Sequence, residues 1–282
     1  MKAEIKVGFI QMEILSNIFD GSVRAINVKH ACQLMEDLLE KNKDLDLLVL
    51  PEEFYAGAGY GPISLQDGFD LIKETVLSPF GEIAAKYHVN IIGALSTKFN
   101  EVGFKANNIA FVLNRSGKLI GTQERFHLAA SEQPFSFSGE KFDIFDLDFG
   151  RVGIVIGVDI LYPEVARKFV LEGAEILINP IIEPGEKDEN SFPNTLYKNC
   201  AITRAMENQV YVVMVNGVGK FAHVDMDIFG ESLAAGPKGL IKKMDFNEGC
   251  DIAELSIEDK QEVLRNLDIM ELRNTEICAI SN

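Results

Sequence analysis

The sequence is short of positive charge, of paired cysteines and of long apolar runs, and each shortage closes off a class of function. Its 282 residues carry 27 Lys and Arg against 43 Asp and Glu, a formal net charge of −16. That balance disfavours nucleic acid and anionic membranes as partners, because phosphate recognition draws on clustered cations. Its plainest consequence is solubility. Four cysteines, Cys32, Cys200, Cys250 and Cys278, stand far apart with no C-x-x-C spacing. Neither a disulfide framework nor a zinc site is expected, and a reducing cytoplasm suits the chain. No apolar run approaches the roughly 18 residues of a membrane span. Met1-Lys2-Ala3-Glu4-Ile5-Lys6 leads straight into a strand pattern with no apolar signal core, so a secretory leader is not expected. Repeats, low-complexity blocks and long Pro/Gly/Ser linkers are missing as well. One domain over residues 1–282 is the economical expectation.

What is present is an ordinary globular balance, 47% hydrophobic and 25% charged, with strands and helices alternating from end to end. Lys6 to Gln11 reads as a strand. Val28, Ala31, Cys32, Met35, Leu38 and Leu39 recur at helical spacing. Asp46-Leu-Leu-Val-Leu-Pro51 is a buried strand stopped by proline. Ser78-Pro79 predicts an N-cap and first helical residue, with Phe80, Ile83, Ala84 and Tyr87 on one face. Asn90 to Leu95 is the next strand, and Asn114-Arg-Ser-Gly117 marks a hairpin. Val152 to Ile156 is another apolar strand, followed by a turn and a helix after Pro163. Glu175 to Asn179 and Val210 to Val215 read as strands around a helix from Leu196 to Asn208. The end is β-rich, with a turn at Gly236-Pro-Lys-Gly239. Paired strands mixed with crossover helices imply sheets covered by helices.

Few residues point to chemistry on their own. Glu52, in Pro51-Glu52-Glu53-Phe54, stands at the C-terminal end of a buried strand, where open α/β sheets place ligands; a solvated acidic loop explains it equally simply. His127, flanked by Phe126 and Leu128, reads as a packed histidine or a base. Ser131 and Asp143 complete a Ser-His-Asp set with it only on paper, since nothing in the sequence sets their geometry. Ile156-Gly157-Val158-Asp159 has the form of a strand–turn–helix elbow, a device that exposes a nucleophile beside backbone N–H groups. Here the turn residue is glycine, which a tight turn alone would explain.

Six segments in order resemble the nitrilase, or carbon–nitrogen hydrolase, superfamily. Gln11 and Asn27 match its opening strand and first helix. Asp46 to Glu52 resembles D-L-v-v-f-P-E, and Gly117 to Leu128, ending Glu124-Arg-Phe-His-Leu, resembles a stretch ending R-K-x-H-L. Glu132 to Gly139 has the spacing of E-K-x-x-F-x-x-G. Val152 to Glu164 resembles G-v-x-I-C-Y-D-x-x-F-P-E. Arg204-Ala-Met-Glu-Asn208 with Tyr211-Val-Val matches R-A-x-E-N-x-x-Y-V-V, and Gly230-Glu-Ser232 with Pro237 and Gly239 matches G-x-S-x-I-x-x-P-x-G. The resemblance implies a four-layer αββα sandwich of two mixed sheets flanked by helices. It implies a site in which Glu52 is the base, Glu132 a second acidic contact, Arg125 stands where the family has lysine, and Gly157 where it has the nucleophilic cysteine. Val158, Asp159, Tyr55 and Tyr197 are the expected substrate-binding residues.

Those two departures carry the functional expectation. Without a thiol no thioester forms at position 157, and arginine is planar and bulkier than lysine. Arg125 is expected to lie between Glu52 and Glu132, which would otherwise repel, and to lower the basicity of Glu52. The readings are a catalytically impaired relative that binds a small amide, nitrile or carboxylate or serves as a partner subunit; a hydrolase using water activated by Glu52; and an interaction protein whose pocket Arg125 closes. Cys200 is expected to be a small core residue rather than a displaced nucleophile. No cofactor or metal is implied. The family's dimer implies a homo-oligomer that covers apolar residues after the elbow, Val165, Phe169, Val170, Leu196 and Cys200.

Overall fold

Successive side chains of a strand point to opposite faces, so a strand that is apolar at every position must be covered on both sides. The computed structural model, which describes residues 2–17, 21–57, 67–98, 105–130, 132–221 and 226–276, has two sheets of this kind. The first runs Gly249–Ser256, Glu4–Gln11, Leu47–Val49, Asn90–Thr97, Ala106–Leu113, Leu119–Glu124, with Ser136–Phe137 beside the fifth strand. The second runs Gly239–Lys243, Leu233–Gly236, Tyr211–Val215, Ile176–Pro180, Gly150–Ile154, Phe145–Leu147. Each has parallel strands at its centre and antiparallel strands outside them.

Alternation sorts the core into three sheets of side chains. Between the two sheets lie Val7, Phe9, Val49, Ile92 and Val112 against Val152, Ile154, Ile178 and Val213. On the outer face of the first sheet, Leu48, Ile91, Leu95 and Phe111 meet Val28, Ala31 and Met35 of helix Ser22–Lys41 and Phe80 and Ile83 of helix Ser78–Tyr87. On the outer face of the second, Leu177, Val212 and Met214 meet Val165 and Phe169 of helix Pro163–Leu171 and Tyr197, Ala201 and Ala205 of helix Phe192–Asn208. The result is the expected α/β sandwich of two mixed sheets flanked by helices.

The elements differ from the sequence reading in instructive places. Ser78 is not an N-cap. Its side chain makes no capping bond, and the helix runs in through a π-helical turn, Lys73–Leu77. Helix Phe192–Asn208 begins with the Phe-Pro pair rather than at Leu196, because proline suits a first turn. Val165 and Phe169 face inward and are buried within the chain, so they offer nothing to a second subunit. What helix Phe192–Asn208 does expose is Phe192, 76% accessible, and Met206. Beside them Phe192, Leu196, Cys200 and Thr203 line a groove of about 330 Å³. Ser131 and Cys278 lie outside the described residues.

The far end of the first sheet is closed by charge. Asp46, 2% exposed, accepts from Lys2 Nζ and Arg115 and from the Lys6 backbone N–H. No described helix is long and apolar enough to cross a membrane.

Candidate active site

The two sheets are stitched together where their parallel strands end. Leu50 N–H bonds to the Ile92 carbonyl, and Glu52 N–H reaches across to the Ile181 carbonyl of the second sheet at 3.1 Å. That crossing puts Glu52 between the sheets, 1% exposed. The loop that follows is held by Asn27, whose amide donates to the Leu15 and Tyr55 carbonyls and accepts from Leu15 N–H.

Four residues singled out by sequence converge here. Arg125 follows strand Leu119–Glu124. Its backbone N–H bonds to the Asn108 carbonyl, and its guanidinium donates to Glu52 Oε1 at 3.0 Å and to Glu132 Oε1 at 2.5 Å. The arginine bridges the two carboxylates rather than gripping one of them with both arms. Glu132 takes its second bond from Ala129 N–H at 2.6 Å. Gly157 opens a short 3₁₀ turn, Gly157–Leu161, two residues beyond the end of strand Gly150–Ile154. Its φ of +53° lies in the left-handed region, and Asn179 Nδ2 supports the turn from the Gly157 carbonyl at 3.3 Å.

What fills the space over Gly157 is the carboxylate of Glu52. A Cβ built on residue 157 would stand 2.6 Å from Glu52 Oε2, well inside van der Waals contact. Glu52 Oε1 takes both side-chain donors, Arg125 and Asn108 Nδ2, the latter at 2.5 Å. Oε2 is therefore the oxygen turned toward the turn. Burial raises the pKa of Glu52, outweighing the opposing pull of Arg125 and Asn108. Arg125 does pull the pKa down, as expected, but the carboxylate is buried deeply enough that the net shift is upward.

The residues expected to bind substrate divide. Val158 is half-buried beside Gly157. Tyr197, 4% exposed, brings its hydroxyl against Glu183, and burial followed by that carboxyl pushes its pKa well up. The carboxylate of Asp159 is engaged within the chain. It accepts the backbone N–H groups of Phe126 and His127 at 2.9 and 2.8 Å and faces His127 Nδ1 at 2.8 Å. It ties the elbow to the segment that carries Arg125. His127 thus pairs with Asp159, not Asp143, and stacks on Tyr162. Tyr55 turns away into the helix–sheet core, its hydroxyl donating to Asp67 at 2.9 Å.

Three site residues were not singled out from sequence. Glu53, φ +52°, is buried beside Glu52, accepts from Ser96 Oγ and shares Asn108 Nδ2 at 3.3 Å. Asn108 is a polar residue inside an apolar strand, 2% exposed, and that interruption was its signal. Glu183 lies just past strand Ile176–Pro180, the same strand-end position that marked Glu52. Burial pushes the carboxyls of Glu53, Glu132 and Glu183 each up to about 7. Among the described residues no group of three or more His, Cys, Asp or Glu is arranged to hold a metal ion.

The profile of the Carbon-nitrogen hydrolase family matches residues 6–263. A probable nitrilase of Schizosaccharomyces pombe is 28% identical over 249 residues, covering 86% of this chain and 89% of that protein. A 2-oxoglutaramate amidase of Bacillus subtilis is 27% identical over 250 residues, covering 87% and 90%. The crystal structure of a carbon-nitrogen hydrolase from Helicobacter pylori superposes with a TM-score of 0.82 at 24% identity, covering 97% of this chain and 96% of that one.

Two outcomes follow for stability. Gly157→Ala should cost at least about 2 kcal/mol, combining the left-handed penalty with the contact on Glu52. Gly68→Ala, where a Cβ meets nothing within 4 Å, should be close to neutral. Urea denaturation of both variants and of Glu52→Ala/Gly157→Ala measures the contact, which the double variant removes; equal costs for Gly157→Ala and Gly68→Ala would refute it. The raised carboxyls set the second outcome. The folded chain binds more protons than the unfolded chain between the ordinary glutamate range and about 7. The stability contributed by these three groups is therefore greatest below that window and falls as pH rises through it. Glu53→Gln should flatten the fall in urea midpoint between pH 5 and 7.5.

Proposed function

We propose that this chain, which belongs to the carbon-nitrogen hydrolase family, acts as a single domain over residues 1–282 that binds a small amide or nitrile without forming a covalent intermediate. The observation that carries this reading is the 2.6 Å between Glu52 Oε2 and the place a Cβ would take on residue 157. A covalent route needs a nucleophile within reach of its base. Glycine offers none, and the base has settled into the space the nucleophile's side chain would need. The substrate class is supported by the relatives, a probable nitrilase and an amidase among them. Cys200 does not substitute for the missing thiol. It lies on the outer helix, in the groove beside Phe192, and burial raises its pKa.

One observation favours hydrolysis by water instead. With Oε1 occupied by Arg125 and Asn108, Oε2 is the oxygen aimed at the turn, and burial makes the carboxylate more basic. A water placed there would find a general base. Such a base typically contributes only about 10²–10⁴-fold, so turnover by this route is expected to be slow.

We further propose a cytoplasmic homodimer that covers the Phe192, Leu196 and Cys200 groove. A largely apolar groove beside a 76% exposed phenylalanine is a surface that association buries.

The activity test is a panel of short amides, ω-amides, carbamoyl compounds and nitriles, read by ammonia release and by intact mass. The unaltered chain should show no adduct and little release. Gly157→Cys alone should recover little, because its Cβ meets Glu52; Gly157→Cys with Arg125→Lys should recover more. Robust turnover lost on Glu52→Gln would replace this reading with the water route, and turnover lost on Cys200→Ala would point to a displaced thiol. For assembly, sedimentation at micromolar concentration should show a dimer that Phe192→Glu converts to monomer. A monomer in the unaltered chain rules the dimer out.

A further inference from the structure

We infer that two copies of this chain pack through the outward face of helix Phe192–Asn208, antiparallel about a two-fold axis at Asn199, so that Phe192 of each copy meets Met206 of the other. The inference rests on the dimer proposed above and deepens it by fixing how the copies meet.

The helix is patterned on two sides. Its inner face, with Tyr197, Ala201 and Ala205, is buried against the second sheet. A second set, Phe192, Thr195, Leu196, Asn199, Ile202, Thr203 and Met206, recurs at intervals of three and four, the spacing that gathers residues on one side of a helix. At about 100° per residue the whole set falls within about 60° of Asn199 around the axis, on the side away from Tyr197, Ala201 and Ala205. Phe192, Asn199, Thr203 and Met206 are exposed, and Thr195, Leu196 and Ile202 are half-buried. The groove of about 330 Å³ between Phe192, Leu196, Cys200 and Thr203 lies along this face.

Read outward from Asn199 in either direction, the face has the same chemistry. Leu196 and Ile202 stand equally far from it, then Thr195 and Thr203, then Phe192 and Met206. Antiparallel pairing about Asn199 sets each residue against its counterpart: aliphatic on aliphatic, hydroxyl on hydroxyl, and a thioether against a phenyl ring, a contact that sulfur favours. The two Asn199 amides, each with donors and an acceptor, meet at the axis, where a single polar residue within a helical seam fixes its register. A two-fold interface demands this self-complementarity; a partner of another sequence does not.

Charge selects the same occupant. The chain carries −16, and two such molecules repel wherever their acidic surfaces meet. No Asp, Glu, Lys or Arg stands in the set, so here two copies approach without that repulsion. At the ends of the helix the charges complement one another. The loop before it exposes Glu186, Asp188 and Glu189 around Lys187, while Arg167 donates to the Glu207 carbonyl at the far end. Antiparallel pairing brings each acidic loop toward Arg167 of the other copy. The covered helix also supports the candidate site. Arg204 holds the Ile160 and Leu161 carbonyls of the turn that Gly157 opens, each at 3.1 Å. One seam therefore braces both sites of the dimer.

The test is sedimentation of the full chain with complementary charge substitutions. Phe192→Glu and Met206→Lys should each weaken the dimer at least about thirtyfold, the scale of a buried interface anchor, while circular dichroism shows both chains folded. An equimolar mixture of the two variant chains should then form a heterodimer, because the pairing sets the new glutamate against the new lysine and keeps one Phe192–Met206 contact. Independently, Asn199→Cys in a Cys200→Ala chain should link to itself under oxidised glutathione. Met206→Cys in the same chain should not, since the two copies of residue 206 lie about 20 Å apart. If the unaltered chain is a dimer and either the mixture stays monomeric or Asn199→Cys does not cross-link, the register is overturned and the dimer stands. If the unaltered chain is a monomer, both fall.

Discussion

The guanidinium of Arg125, suspended between two buried carboxylates, is the contact on which the centre of this molecule is arranged. Removing an ion from water costs several kcal/mol even after the protein relaxes, and attraction to a partner recovers that only when geometry is good and the remaining donors and acceptors are used. Here the geometry is enforced from three sides. The Asn108 backbone takes the Arg125 N–H and its side chain takes Glu52. Ala129 N–H fixes Glu132. Asp159, from the elbow of the other sheet, fixes the two residues after Arg125. The bridge lies at the end of the first sheet, and Asp159 ties it to the elbow of the second.

The electrostatics of the site are decided by burial more than by the ion pair. Arg125 and Asn108 both favour the charged form of Glu52, and desolvation still prevails. The same holds at Glu53, Glu132 and Glu183. Arg125 forms ion pairs with Glu52 and Glu132 and also lowers the pKa of Glu53 and Glu183 without pairing with them.

Much of this was legible beforehand, for identifiable reasons. The strands Asn90–Thr97, Tyr211–Val215 and Ile176–Pro180 are apolar on both faces and bounded by turn residues, so periodicity alone finds them. The hairpin at Asn114 to Gly117 announced itself through its glycine, which takes φ +77°. Arg125 between two glutamates followed from charge arithmetic once the ordered motifs had placed the three residues together. What stayed hidden was set by contacts across the chain. Ser78 looked like a cap because a π-helical turn leaves no mark in sequence. The partners of Asp159 stayed hidden because nothing local shows that Phe126 and His127, 33 and 32 residues away, use its oxygens. Tyr55 lies close to Glu52 in sequence, yet the bend held by Asn27 sends its ring the other way. The pull of Arg125 on Glu52 was foreseen, but the larger push of burial was not, because neighbours can be counted from a sequence and depth cannot.

The left-handed turn at residue 157 bears on how much variation the molecule tolerates. Any residue with a Cβ held at that dihedral keeps part of the fold's free energy as local strain, on the order of 1–3 kcal/mol. Glycine holds none of it. Since a protein this size is stable by only about 5–15 kcal/mol, the relief is a substantial reserve against destabilising substitutions elsewhere. A turn shaped like a nucleophile elbow but built on glycine is therefore a margin of mutational robustness, and a lineage carrying it can drift further in sequence before it unfolds.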